Sequence, residues 1–335
     1  MSEFELIRRY FEKAAGQGPL TGVHLGIGDD CALLEAAPVM QLAVSTDMLV
    51  EGRHFAVGAD PFKLGHKALA VNLSDIAAMG ATPRWATLSL ALPGADPDWL
   101  ERFSAGFFAL ASRFEVALVG GDTTRGPLNI SVTIMGEVPA GLALHRAGAL
   151  PGDEIWVSGE LGGAALALEH EAGRVALEGE DRKAMLARLH EPEPRVALGE
   201  RLRGLATSAI DVSDGFAGDL AHILERSGVG ALVRYADLPR PRAFARTGDA
   251  GLERACVLSG GDDYELIFTA PQARGAEIDA LGAEIGLRLT RVGYVQAGDA
   301  RIVLLDANAK AMPVPGGFDH FGDAAGKTQG PLPRP

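Results

Sequence analysis

The sequence predicts a two-domain protein of mixed α/β (α+β) class, and three observations carry that prediction. Its 335 residues exceed what one hydrophobic core usually organises. Short apolar runs of strand character alternate with segments of helical period. Between the halves, residues 146–153 (RAGALPGD) gather the Gly and Pro that break regular structure. The expected division is therefore 1–146 and 147–323. Residues 324–335 (AAGKTQGPLPRP) read as a disordered tail.

Taken in order, Phe4, Ile7, Tyr10 and Phe11 recur at helical spacing, so the chain should open on an amphipathic helix. Strands are expected at 42–45, 129–135, 154–157 and 265–269, and helices at 61–78, 98–114, 163–171, 181–189 and 216–227. In the last helix Leu220, Ile223 and Leu224 share a face. Ser213 or Asp214 can cap its start, and Gly228 stands where a left-handed residue ends a helix. A weak internal echo pairs Asn72-Leu73-Ser74-Asp75 with Asp211-Val212-Ser213-Asp214, and Gly120-Gly121-Asp122 with Gly260-Gly261-Asp262.

The net charge of −13 argues against a nucleic-acid partner, because nothing basic is massed to neutralise phosphates. No apolar run is long enough to span a bilayer, the N-terminus does not read as a signal peptide, and no membrane partner is expected. The two cysteines, Cys31 and Cys256, have no framework spacing and fit a reducing cytoplasm; Cys31 reads as a small buried thiol.

The informative feature is the placement of aspartates. Asp29 and Asp30 follow Gly26-Ile27-Gly28, Asp47 closes Ser45-Thr46-Asp47, and Asp75 and Asp122 lie in NLSD and GGDT. Asp211 and Asp214 lie in DVSDG, and Asp262 and Asp263 in GGDDYE. Nearly every one reads as a strand end or Gly-rich turn, and singly each could be a turn former or helix cap. As a set they are costly, since two carboxylates about 5 Å apart repel by roughly 3 kcal/mol at an effective dielectric near 20. Such a set protonates or binds cations. Oxygen donors without His or Cys select Mg²⁺, which bridges carboxylates to substrate phosphates and suits phosphoryl transfer. Two decoys fall away. GDAAGKT (322–328) lacks the first glycine and leading strand of a P-loop, and DVSDG has Asp211 where a nucleophile elbow needs glycine.

The ordered series GIGDDCALL, STDMLVEGRHF, NLSDIAAMGATP, LVGGDTTRG, RAGALPGDEIWVSG, DVSDGFAGDL, SGGDDYELIF and GGFDHF resembles the thiamine-monophosphate kinase family, within the aminoimidazole ribonucleotide synthetase-like superfamily. The resemblance implies a two-domain fold whose N-terminal domain gives strands to a barrel at a homodimer interface, beside a C-terminal α/β domain. It implies phosphorylation of thiamine monophosphate by ATP, with several Mg²⁺ ions. Position by position, it implies metal ligation by Asp30, Ser45, Thr46, Asp47, Asp75, Asp122, Asp211 and Asp214. It likewise implies ATP contacts from Gly121, Asp122, Arg146 and Ser213, and thiamine phosphate contacts from His54, Asp262 and Phe318. His54 is expected to position substrate, with no residue acting as general base. Phe318 stands where the family is expected to have Trp, and Asp262 where Glu is common. Two other readings stay open: a sister ATP-dependent synthetase with another acceptor, and a non-catalytic protein that binds nucleotide or metal without turnover. Assay of ADP release across acceptors separates them.

Overall fold

In the computed structural model, residues 3–16 and 21–316 are described, and they divide into two compact units. The first takes residues up to Ile76 and Ala81–Gly141; the second takes Ala77–Gly80 and the chain from Leu142. Phe318, the Walker-like 322–328 and the tail lie outside the described residues.

The first unit is built on four strands: β3 (Met40–Val50), β4 (Thr82–Leu92), β5 (Ala117–Arg125) and β6 (Asn129–Pro139), in the order β3-β6-β4-β5. Ile130, Val132 and Ile134 alternate with Asn129, Ser131 and Thr133 along β6, as a half-buried strand requires. The expected strand at 42–45 extends to eleven residues. Strand β4 is central although it holds Pro83, because proline falls at its second residue beside a register shift between Pro83 and Trp85. One face of the sheet buries Leu88, Leu90, Ile130, Val132 and Ile134. The other is open along β3, where Leu42, Val44 and Met48 are 54%, 60% and 54% exposed. A short hairpin of β1 (Val23–Leu25) and β2 (Leu33–Leu34) packs its Val23 and Leu34 against Trp85.

Helices α1 (Pro61–Ala78) and α2 (Pro97–Arg113) touch backbone to backbone. A Cβ on Gly65 would lie 2.1 Å from the Phe103 carbonyl oxygen, and one on Gly106 would lie 1.9 Å from that of Phe62. The opening helix forms as expected, with Leu6, Tyr10 and Phe11 buried, and passes through a π-helical stretch at Ile7–Glu12.

The second unit holds a seven-stranded sheet: β7 (Asp153–Ser158), β8 (Ser208–Asp211), β9 (Gly230–Arg234), β10 (Leu266–Pro271), β11 (Leu289–Gln296), β12 (Ile302–Leu305) and β13 (Ala311–Met312). Their order is β13-β12-β9-β11-β7-β10-β8. Every residue of β7 is buried. Helices α3 (Gly163–Glu171), α4 (Gly179–His190) and α5 (Phe216–Ser227) contribute Leu166, Met185, Leu220, Ile223 and Leu224 to one core with Ile155, Ile210 and Ile267. No helix among the described residues is long and apolar enough to cross a membrane.

Several expectations are corrected. Helix α5 starts after Gly215, which takes the N-cap position expected of Ser213 or Asp214; Gly228 does end it in the left-handed region. Cys31 is exposed and Cys256 is the buried thiol. Asp47 and Asp122 lie within strands and not at strand ends or turns, while Asp75 lies inside α1, the helix expected over 61–78. The internal echo has no structural counterpart, since NLSD is helical whereas DVSD leaves a strand for a loop.

Candidate functional site

In the first unit, β3 and α1 bring two of the singled-out residues together. The Ser45 hydroxyl donates to Asp75 Oδ2 at 2.5 Å, and the Asp47 N–H donates to Asn72 Oδ1 at 3.1 Å. Asn72 and Asp75 are three apart and so share a helix face. Ser45 and Asp47 share a strand face, and Thr46 between them points the other way, to the Thr133 hydroxyl at 2.8 Å.

The register fixes Asp122. Across the sheet Asp47 pairs with Val132, and Val132 with Leu88, all on the helix-covered face. Asp122 pairs with Ser89, Ser89 with Ser131, and Ser131 with Met48, all on the open face. Asp122 therefore lies on the opposite face from Asp47, with two strands between β5 and β3. Its neighbour Gly121 has φ +149, and a Cβ there would lie 1.9 Å from the Leu88 carbonyl oxygen, so only glycine fits. Asp30 is exposed in the turn after β1, its N–H donating to Asp29 Oδ1 at 2.8 Å.

His54 follows β3 in a tight turn. Its Nδ1 accepts the Val50 N–H at 3.0 Å while its own N–H donates to the Val50 carbonyl at 2.9 Å. A neutral ring accepting at Nδ1 carries its proton on Nε2, which makes Nε2 a donor.

In the second unit, Asp211 ends β8 and Asp214 lies in the loop to α5. A third aspartate, Asp219, joins them from the first turn of that helix, accepting the Asp214 N–H at 3.1 Å. Burial pushes the Asp219 carboxyl up to about 8, reinforced by the charges of Asp211 and Asp214 and offset by the Asp214 N–H and Arg146. Arg146 is brought near because the His145 carbonyl accepts the Ala209 N–H of β8 at 2.8 Å. The loop before β10 is strapped to the same segment, with Asp262 N–H donating to the Ser213 carbonyl (3.0 Å) and Tyr264 N–H to that of Val212 (2.8 Å). Asp262 and Tyr264 both adopt positive φ, 67° and 50°, and the Tyr264 hydroxyl donates to Asp262 Oδ1 at 2.9 Å. Asp263 turns inward instead and accepts the Gly162 and Ala164 N–H groups at the start of α3.

Sequence reasoning missed Asp219. The signal was present: it sits one residue before Leu220 and four before Ile223, on the face that packs into the core, where an aspartate has no structural reason to be.

The donors at these positions are all oxygen, which suits Mg²⁺ and not zinc. Among the described residues no group of three or more His, Cys, Asp or Glu could hold a metal ion. Burial is the larger cause of the raised Asp219 carboxyl; the charges of Asp211 and Asp214 add to it, and a cation beside them would offset that part.

Comparison with known proteins places this geometry. Residues 28–138 match the AIR synthase related protein N-terminal domain, and residues 151–305 match its C-terminal domain. Fold and site thus define a two-domain protein of the AIR-synthase-related class. The thiamine-monophosphate kinase of Salmonella typhimurium is 45% identical over 323 residues, covering 95% of this chain and 98% of that protein. The crystal structure of thiamine-monophosphate kinase from Stenotrophomonas maltophilia superposes with a TM-score of 0.84 at 46% identity, covering 93% of this chain and 98% of that one. AaThiL complexed with AMPPCP and TMP gives a TM-score of 0.75 at 31% identity, covering 88% and 92%. The chain belongs to the thiamine-monophosphate kinase family.

Proposed function

We propose that this chain transfers the γ-phosphoryl group of ATP to the phosphate of thiamine monophosphate, yielding thiamine diphosphate and ADP. The observation that carries the reading is likeness over nearly the whole of both chains to a thiamine-monophosphate kinase, at 45% identity. On this reading residues 1–146 bind ATP and magnesium and pair with a second copy, and 147–323 form the C-terminal domain. Asp30, Ser45, Thr46, Asp47, Asp75, Asp122, Asp211 and Asp214 would hold Mg²⁺, which when bound neutralises charge between the phosphate chains. Gly121, Asp122, Arg146 and Ser213 hold ATP, and Arg146 offers a guanidinium fork matched to phosphate. His54, Asp262 and Phe318 hold the acceptor.

No protein base is needed. The acceptor is a phosphate monoester whose second pKa is about 6, so at neutral pH it is already a dianion. The Nδ1 bond from Val50 supports this, because it leaves His54 Nε2 as a donor that can orient an oxygen, not a base that removes a proton. The open row of Leu42, Val44 and Met48 supports a homodimer, since an exposed apolar strip of this kind marks an interaction surface. The cysteine usage supports a cytoplasmic enzyme.

The test is ADP release with thiamine monophosphate, ATP and Mg²⁺, beside other acceptors, followed by transfer from a chiral γ-phosphorothioate. Turnover with thiamine monophosphate and inversion at phosphorus are expected. Turnover only with another acceptor would return the sister-synthetase reading, and retention would mean a phospho-enzyme.

A further inference from the structure

Past the paired ends of β8 and β10 the two segments stay hydrogen-bonded, and the second carries an extra residue. The Tyr264 N–H donates to the Val212 carbonyl at 2.8 Å, and the Val212 N–H donates to the Glu265 carbonyl at 2.8 Å. Tyr264 and Glu265 thus both stand opposite Val212, and Tyr264 has φ 50°. Two residues against one, the first of them left-handed, make the G1 form of a β-bulge. That first position ordinarily falls to glycine, because a Cβ there crowds the neighbouring backbone. Here it is a tyrosine, and a buried one.

The strained residue is held from both sides. The buried Glu265 carboxylate accepts Arg195 Nε and Nη2 at 2.6 and 2.5 Å and the Ser158 hydroxyl at 2.6 Å. A Cβ on Gly159 would lie 1.9 Å from Glu265 Oε1, so glycine there makes room for this carboxylate. On the other side the Asp263 carboxylate is fastened to the start of α3. Strain of this kind persists only where the surroundings over-determine it, and it gathers at functional sites. Glycine would suit the bulge better in every respect but one: it has no hydroxyl. The Tyr264 hydroxyl donates to Asp262 Oδ1 at 2.9 Å. Because the ring is buried, the hydroxyl is a fixed point, and a bond to it stops the partly exposed Asp262 carboxylate from turning.

We propose that Tyr264 is a positioning residue that aims the Asp262 carboxylate at the phosphoryl acceptor, with the bulge as its mount. The proposal rests on the reading of Asp262 as an acceptor contact. It accounts for a bulky side chain at a backbone position that disfavours one.

The test is a cycle of variants in the full chain, assayed with ATP, Mg²⁺ and thiamine monophosphate, with urea unfolding to establish that each is folded. Tyr264→Phe keeps the ring and removes the hydroxyl. Its kcat/KM for thiamine monophosphate should fall about tenfold, as loss of one hydrogen bond to a charged group implies. KM for ATP should be unchanged, because the Asp262 N–H still straps the carbonyl of Ser213, a proposed ATP contact. A loop that had merely come loose would raise both. Tyr264→Gly relieves the backbone and should lose at least as much on the acceptor side. Asp262→Gly accepts φ 67° and removes the carboxylate, and in that background Tyr264→Phe should have no further effect. A normal kcat/KM in folded Tyr264→Phe or Tyr264→Gly, an equal rise in KM for ATP, or the same tenfold loss without the Asp262 carboxylate would overturn the proposal. A normal Asp262→Gly would remove the acceptor contact itself, whereas a normal Tyr264→Phe beside a crippled Asp262→Gly would remove Tyr264 alone. Should the wild-type chain turn over only another acceptor, the reading of thiamine monophosphate falls, and the same cycle with that acceptor decides Tyr264.

Discussion

Replacing Asp263 by asparagine should make the protein more stable relative to wild type as pH rises, and the slope can be worked from its surroundings. Burial pushes the Asp263 carboxyl from 3.8 up to about 7; the Gly162 and Ala164 N–H groups and Arg188 pull it down, and Glu265 adds to the rise. A folded acid with a raised pKa holds its proton over a range in which the unfolded chain has released it. Unfolding then releases a proton, and stability falls with rising pH until the folded pKa is passed. Between pH 5 and pH 8 a carboxyl titrating near 7 changes stability by about two pH units' worth, or about 2.7 kcal/mol at 1.36 kcal/mol per unit. Asparagine offers the same carbonyl acceptor to Gly162 but has nothing to titrate. Any fixed packing difference shifts both ends equally, so the slope is the readout. Urea unfolding of both proteins at half-unit steps of pH measures it, because all other groups cancel in the difference. A flat difference, or a variant that loses ground as pH rises, would refute the reasoning. The Gly162 and Ala164 N–H groups would then be holding an ionised carboxylate, and burial would be the lesser effect.

Asp47→Asn and Asp75→Asn should each remove most kinase activity while leaving the metal-free protein at least as heat-stable, with a smaller rise in melting temperature on adding Mg²⁺; ADP release and thermal scans check both. Gly106→Ala should cost about 3 kcal/mol, because its Cβ would sit 1.9 Å from the Phe62 carbonyl oxygen and the two helices must part; urea unfolding reads it. Leu42→Asp combined with Val44→Asp should give a monomer by light scattering if the open face of the sheet joins two copies, and an unchanged mass would move the interface elsewhere.

Much of the helical part of the fold was legible because it follows from local period. Helices over 61–78, 163–171 and 216–227 coincide with the elements observed. Strand β4 was not legible, since Pro83 argues against a central strand and only the neighbouring register shift makes it tolerable. For the site, the aspartates announced themselves as a set, but their geometry did not. Spacing places Asp75 in the helix over 61–78 but cannot tell that it lies beside Ser45, or that Asp47 and Asp122 occupy opposite faces of one sheet, because both depend on contacts between segments distant along the chain. Asp263 looked like part of the acidic set and turns out to serve the start of α3. Asp219 looked like an ordinary helix residue until its burial beside Asp211 and Asp214 was seen.

The left-handed backbone at Asp262 has a consequence for how variants of this chain would be sorted. A residue with a Cβ held there costs about 1 kcal/mol that glycine would not, and asparagine tolerates it better than most. A library randomised at 262 and screened only for survival against protease would fill with glycine and asparagine. The same library passed through a turnover screen would return the carboxylate only if the proposed acceptor contact at 262 is real. If the Asp262 carboxylate holds the acceptor as proposed, heat tolerance and reaction pull this position in opposite directions.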